Sequence, residues 1–209
     1  MSPRTYKIEN RRAAAEQTRS RVLEATRKLI MASSVPPSID AVAALAGVAR
    51  MTVYYQFGSK AGLLEALFDE LGGRYFRSEL PLVMLQDEPL QALADLIEVF
   101  LTFWASERLV TRRIRGMAAL DSDFEESLRG RDKRRRLLIR TVLARITQKY
   151  GKPTNEVFEQ TVDALYALTS FAMFDTMAED DGKADDIAHF VQRLARLALG
   201  IGERPSGDD

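Results

Sequence analysis

Apolar residues recur along most of this chain at intervals of three and four, the spacing of one face of an α-helix. From Thr18 the series Val22, Ala25, Thr26, Leu29 and Ile30 predicts a first helix that ends before Pro36-Pro37, since the residue preceding a proline is pushed out of helical geometry. Ser38 is a natural N-cap for a short helix, Ile39 to Ala46, which Gly47 closes. A second short helix follows over about Arg50 to Phe57. A longer one, capped by Ser59, carries Leu63, Leu64, Leu67, Phe68 and Leu71 and weakens at Gly72-Gly73, with Pro81 beyond it. From Pro89 the pattern is strongly amphipathic, with Leu93, Leu96, Ile97, Phe100, Phe103 and Trp104 on one face and Gln91, Asp95, Glu98 and Thr102 on the other. Further helices are expected at about 107–119, 130–149, 155–178 and 184–200. No alternation of period two is long enough to predict a strand, so the fold class expected is all-α. A three-helix helix-turn-helix domain, residues 1–80, precedes a larger helical domain, residues 81–209.

Charge changes this picture only when it is resolved along the chain. The 209 residues hold 30 Lys and Arg against 30 Asp and Glu, a formal net charge of zero. Residues 1–60 carry ten basic and four acidic residues, and the remainder twenty and twenty-six. A basic front and an acidic remainder fit one part that binds a polyanion and another that does something else. Residues 1–16, with Arg4, Lys7, Arg11 and Arg12 and few apolar positions, read as a mobile basic arm. With no cysteine and a single histidine, His189, neither thiolate chemistry nor a histidine-rich metal site is expected, and no cofactor is implied. No secretory h-region is visible, and the apolar run 164–174 is too short to span a bilayer, so a cytoplasmic protein is expected.

The chemistry concentrates in the stretch AGVARMTVYYQFGSKAGLL, residues 46–64. Two short helices joined by a glycine-containing turn are the sequence form of a helix-turn-helix. At 100° per residue, Val53 and Phe57 lie together on the second helix and, with Val48, can seal it onto its neighbours. Met51, Thr52 and Tyr55 then point away, flanked by Tyr54 and Gln56. Hydroxyl and amide tips can read base edges or bind phosphate oxygens, and a methionine can meet a thymine methyl. Ser59 and Lys60, at the next helix start, offer a phosphate site.

This stretch resembles the signature of the tetracycline-repressor (TetR) family. The likeness extends back through SRVLEATRKLIMAS and SIDAVAALA and covers roughly residues 18–77. It implies that Thr52, Tyr54, Tyr55 and Gln56 lie where the family touches DNA, and that Ser38 and Lys60 lie where it grips phosphate; Arg50 and Met51, on the same short helix, complete the DNA-site candidates. Three positions depart from the pattern. Ala49 replaces a frequent Ser or Thr cap, and Met51 replaces a small residue. Gly62 stands where a helix former is usual, with an expected loss of about 1 kcal/mol relative to Ala.

Beyond residue 80 the likeness is confined to helix number and order. The stripe Phe100, Phe103, Trp104 is a core stripe that Met117, Leu120 and Phe171 are expected to face, and such a lining favours an apolar or aromatic effector. The expected helix 155–178 is apolar around most of its circumference and needs two partners. A symmetric four-helix interface between two copies, carried by Leu165, Leu168, Ala172, Phe190, Leu194 and Leu197, satisfies that need, and the resemblance places dimerisation there too. RGRDKRRR, residues 129–136, reads as a solvated face opposite the acidic DSDFEE. The expectation is a homodimeric transcription regulator, a repressor that an unknown small molecule releases from near-palindromic double-stranded DNA. The alternatives are an all-α ligand carrier or enzyme with an architectural helix-turn-helix, and an effector-free DNA-architectural protein. No nucleophile–base pair or phosphate loop supports an enzyme.

Overall fold

The computed structural model describes residues 3–33, 35–151, 153–178 and 183–200. Among them the secondary structure is helical throughout: α1 (Pro3–Ala32), α2 (Ile39–Ala46), α3 (Arg50–Phe57), α4 (Lys60–Leu85), α5 (Pro89–Ser106), α6 (Arg108–Ala118), α7 (Ser122–Tyr150), α8 (Asn155–Leu168), α9 (Phe171–Met177) and α10 (Ala184–Ala198). None of these helices is long and apolar enough to cross a membrane. The chain divides into two compact units, residues 1–71 with 109–128, and residues 72–108 with 129–209. The helices α4 and α7 contribute residues to both.

In the first unit α1 packs on α2 and α2 on α3. Val22, Leu23, Ile30, Val42, Val53, Leu63, Leu67 and Ile114 form its buried core. Arg113 of α6 donates to the carbonyls of Ile30 and Ser33, satisfying acceptors that the end of α1 leaves open. Residues 1–16 of this unit are expected from the sequence to be a mobile basic arm. From Pro3 onward that segment is instead the first part of α1.

In the second unit α5 packs against α9 and α10, and α8 against both α9 and α10. Its core is aromatic. Phe76 lies 4.6 Å from Phe103, Phe103 lies 5.0 Å from Trp104, and Trp104 meets Phe171 edge-on at 5.6 Å between ring centroids. Phe76 also packs at 5.6 Å from Phe100.

Three further helix boundaries differ from the periodicity. The α4 helix runs through Pro81 to Leu85. The α7 helix starts at Ser122 rather than near 130, because Asp121 accepts the Phe124 N–H at 3.1 Å and acids suit a first turn. The expected helix 155–178 is broken at Thr169-Ser170. There the Ser170 side chain accepts the N–H of Met173 at 3.2 Å and starts α9 afresh.

Candidate nucleic-acid interface

The recognition segment is shaped by its caps. Ser38 has an extended backbone, and its hydroxyl oxygen accepts the N–H of Ala41 at 3.1 Å, which starts α2. Gly47 closes α2 at φ 65, a left-handed conformation that costs glycine no side-chain clash. Ala49 then precedes α3 with no side-chain cap.

Val53, 1% exposed, fixes which side of α3 faces inward. Phe57 is half-buried beneath the Arg19 guanidinium of α1, which lies 4.7 Å from its ring centre. Met51 is 72% exposed and Tyr55 91% exposed, so the outward side of α3 carries two large side chains with little to pack against. Side chains this exposed are available for contact with a ligand or partner. Thr52 and Tyr54 are half-buried at the flanks.

Two of the DNA-site candidates turn towards the protein. Gln56 directs its Nε2 to the Ala15 carbonyl of α1, 3.4 Å away. Arg50 donates from Nη1 to both carboxylate oxygens of Asp40, at 3.2 and 3.0 Å, and from Nη2 to the Tyr54 hydroxyl at 3.4 Å. The Tyr54 hydrogen bond and then the Asp40 charge raise the Arg50 pKa, so the guanidinium stays fully charged. Lys60 is exposed at the start of α4. Beside it the Ser59 N–H is already donated to the Phe57 carbonyl at 2.8 Å, and the Ser59 hydroxyl accepts the Gly62 N–H at 2.9 Å. Ser59 therefore caps α4, and the exposed charge of Lys60 is what that corner can offer a phosphate.

The effector candidates separate into two groups. Phe100, Phe103, Trp104 and Phe171 are all buried in the second unit. The Trp104 indole N–H donates to the Thr169 carbonyl at 3.0 Å, in the break between α8 and α9. Met117 and Leu120 belong to the first unit, and Leu120 is 87% exposed. An exposed side chain cannot line an enclosed site, so Leu120 does not join the aromatic group.

The interface candidates also divide. Leu165 is fully buried inside its own unit and is not on a free face. Leu168, Phe190 and Leu194 are half-buried, whereas Ala172 and Leu197 are exposed.

Arg135 departs from the solvated face expected for residues 129–136. Its run is not uniformly solvated, because Arg135 is buried and donates to the Tyr166 carbonyl at 2.6 Å and the Thr169 hydroxyl at 2.7 Å. Its guanidinium also lies 4.2 Å from the Tyr166 ring centre. Next to it, Arg136 pairs with Asp163 and Glu159 of α8.

Residues 22–67 match the sequence profile of a family described as "Bacterial regulatory proteins, tetR family". No curated protein matches the chain. Among solved structures, a TetR-like transcriptional regulator from Rhodococcus is similar at 23% identity, with 88% of this chain and 96% of that one covered and a TM-score of 0.66. A TetR-family regulator from Syntrophomonas wolfei is similar at 14% identity, over 92% and 99% of the two chains, with a TM-score of 0.71. The regulator FadR from Bacillus subtilis, solved in complex with stearoyl-CoA, is similar at 16% identity, over 88% and 99%, with a TM-score of 0.64. Residues 22–67 thus carry the tetR-family sequence on a helix-turn-helix, and the chain has the fold of the TetR-family transcriptional regulators.

Proposed function

We propose that this protein is a homodimeric repressor that binds a near-palindromic operator and leaves it when a small apolar or aromatic effector binds. One observation carries the reading: α3 is anchored through Val53 while Met51 and Tyr55 stand out from it almost bare. A helix held on one side and unpacked on the other suits insertion into the major groove. Tyr55, Met51 and Thr52 face the bases, and Ser38 and Lys60 meet phosphates. Residues 1–80 form the DNA-binding part, and residues 81–209 dimerise and sense the effector.

The exposed Ala172 and Leu197, with the half-buried Leu168, Phe190 and Leu194, supply the apolar face for a second copy. The effector sits against Phe100, Phe103, Trp104 and Phe171. A similarly folded regulator holding stearoyl-CoA supports an apolar ligand for this architecture. Effector binding releases DNA only to the extent that the effector prefers the DNA-incompetent state. Such a regulator acts in the cytoplasm and carries out no catalysis.

The test is selection of bound sequences from random double-stranded DNA, followed by Tyr55→Ala. The expected result is a near-palindromic consensus that the wild type binds in a salt-dependent way and the folded variant no longer binds. Recovery of no consensus would defeat the proposal, and unchanged affinity of the variant would remove α3 from the groove.

A further inference from the structure

The first residue of α3 is an arginine, which is electrostatically the wrong choice. A helix N-terminus carries partial positive charge and favours acids, and here the preceding Ala49 supplies no cap. The position is made tolerable from the neighbouring helix. Asp40 lies in the first turn of α2, where its own charge is favoured, and both of its oxygens accept from Arg50 Nη1. The other guanidinium nitrogen reaches the Tyr54 hydroxyl, and the guanidinium carbon lies 5.5 Å from the Tyr54 ring centre.

We infer that Asp40 and Arg50 are positioning residues for DNA recognition. They lock the start of the recognition helix to α2 and hold the Tyr54 ring in place, so Arg50 is not itself a base or phosphate contact. This deepens the DNA-binding reading and rests on it. All its members lie in the first unit, and Asp40 and Arg50 are both exposed. A solvent-exposed pair constrains geometry only modestly, so the expected effects are a few-fold rather than complete.

The sign of the effect at Asp40 separates positioning from charge. Asp40 is an acid beside the proposed groove-binding helix. If it acted only by its charge, removing it would strengthen binding to a polyanion. If it positions Arg50 and Tyr54, removing it weakens binding. With operator DNA selected by the wild-type protein as the probe, Asp40→Asn should bind roughly three- to fivefold more weakly at fixed salt. Arg50→Ala should lose a similar factor without changing the slope of log affinity against log salt, and the double variant should be no worse than either single one. Arg50→Lys, which keeps the charge but not the planar fork, should not rescue.

A DNA-free measurement keeps the result separate from the function itself. In the free protein with labelled tyrosine, Asp40→Asn should shift the ring resonances of Tyr54. An Asp40→Asn variant that binds operator as tightly as wild type or tighter would overturn the inference. So would an Arg50→Ala variant whose salt slope falls by about one unit, the mark of a lost phosphate contact, or an unmoved Tyr54 ring. Failure of the wild type to select any sequence would count against the DNA-binding reading, and the Tyr54 ring would still decide whether the lock exists.

Discussion

Gly62 is the third residue of α4, and replacing it with alanine sets two effects of opposite sign against each other. Inside a helix alanine is favoured over glycine by about 1 kcal/mol, so propensity alone predicts a more stable protein. A Cβ at this position, however, would lie 2.2 Å from the Phe57 carbonyl oxygen and 3.4 Å from the carbonyl carbon. The obstacle is backbone, so no rotamer change relieves it, and forcing an extra carbon into filled space typically costs about 1–3 kcal/mol. Phe57 ends α3, so relief means displacing either the end of that helix or the first turn of α4. Gly116 in α6 supplies the control, since a Cβ there meets nothing within 4 Å. Gly116→Ala should gain about 1 kcal/mol, whereas Gly62→Ala should gain nothing or lose up to about 2 kcal/mol once propensity and clash are combined. Urea unfolding at one fixed protein concentration measures both, since the stability of the proposed dimer would depend on concentration. Equal stabilisation by the two substitutions would refute the close approach of α4 to Phe57. The glycine that looks like a weak point in the sequence would then be one.

Glu88 supplies a pH-dependent prediction. A hydrogen bond from Lys149, and then one from Tyr150 at 2.7 Å, lower its pKa from 4.5 to about 2. Its contribution to stability is therefore complete above about pH 4.5 and fades as the pH falls towards 2. The stability advantage of the wild type over Glu88→Gln should shrink over that window in acid unfolding, and a pH-independent difference would contradict the assignment. Ala172→Arg places a charge on an exposed position of α9, so the subunit should stay folded while sedimentation reports a monomer with weakened operator binding; a dimer that survives would put the subunit interface elsewhere.

The parts of this molecule that could be read from its sequence are those set by local chemistry. Ser38, Gly47 and Ser59 act through hydrogen bonds spanning three or four residues, so the bounds of α2 and the start of α4 follow from the residue types alone. The outward placement of Met51 and Tyr55 follows from helical period once Val53 is known to face inward. Other features depend on distant residues and leave no local trace. Periodicity carries a helix straight across Thr169-Ser170, and the break is held from elsewhere, by Trp104 of α5 and Arg135 of α7. Arg135 is indistinguishable in sequence from its solvated neighbours, and its burial becomes visible only when the carbonyl of Tyr166 comes within reach. The same limit explains Leu165, which shares an apolar helix with Leu168 but lies inside its own unit, and Gln56, whose amide meets a carbonyl 41 residues earlier.

A net charge of zero is poor guidance about DNA binding, because exposed charges more than about 10 Å apart hardly sense each other at 0.1 M salt. What a phosphate meets is the local arrangement, and residues 1–60 carry ten basic residues against four acidic ones. Among the described residues, Asp40 pairs with Arg50 at 3.0 Å and Glu24 with Lys28 at 3.4 Å. Each pair removes one acid and one base together, so the local excess is unchanged while the acids lose much of their power to repel phosphate. An acid beside α3 can then favour the proposed DNA binding, provided its geometric contribution exceeds the repulsion that remains. The sign of the Asp40→Asn effect decides between them.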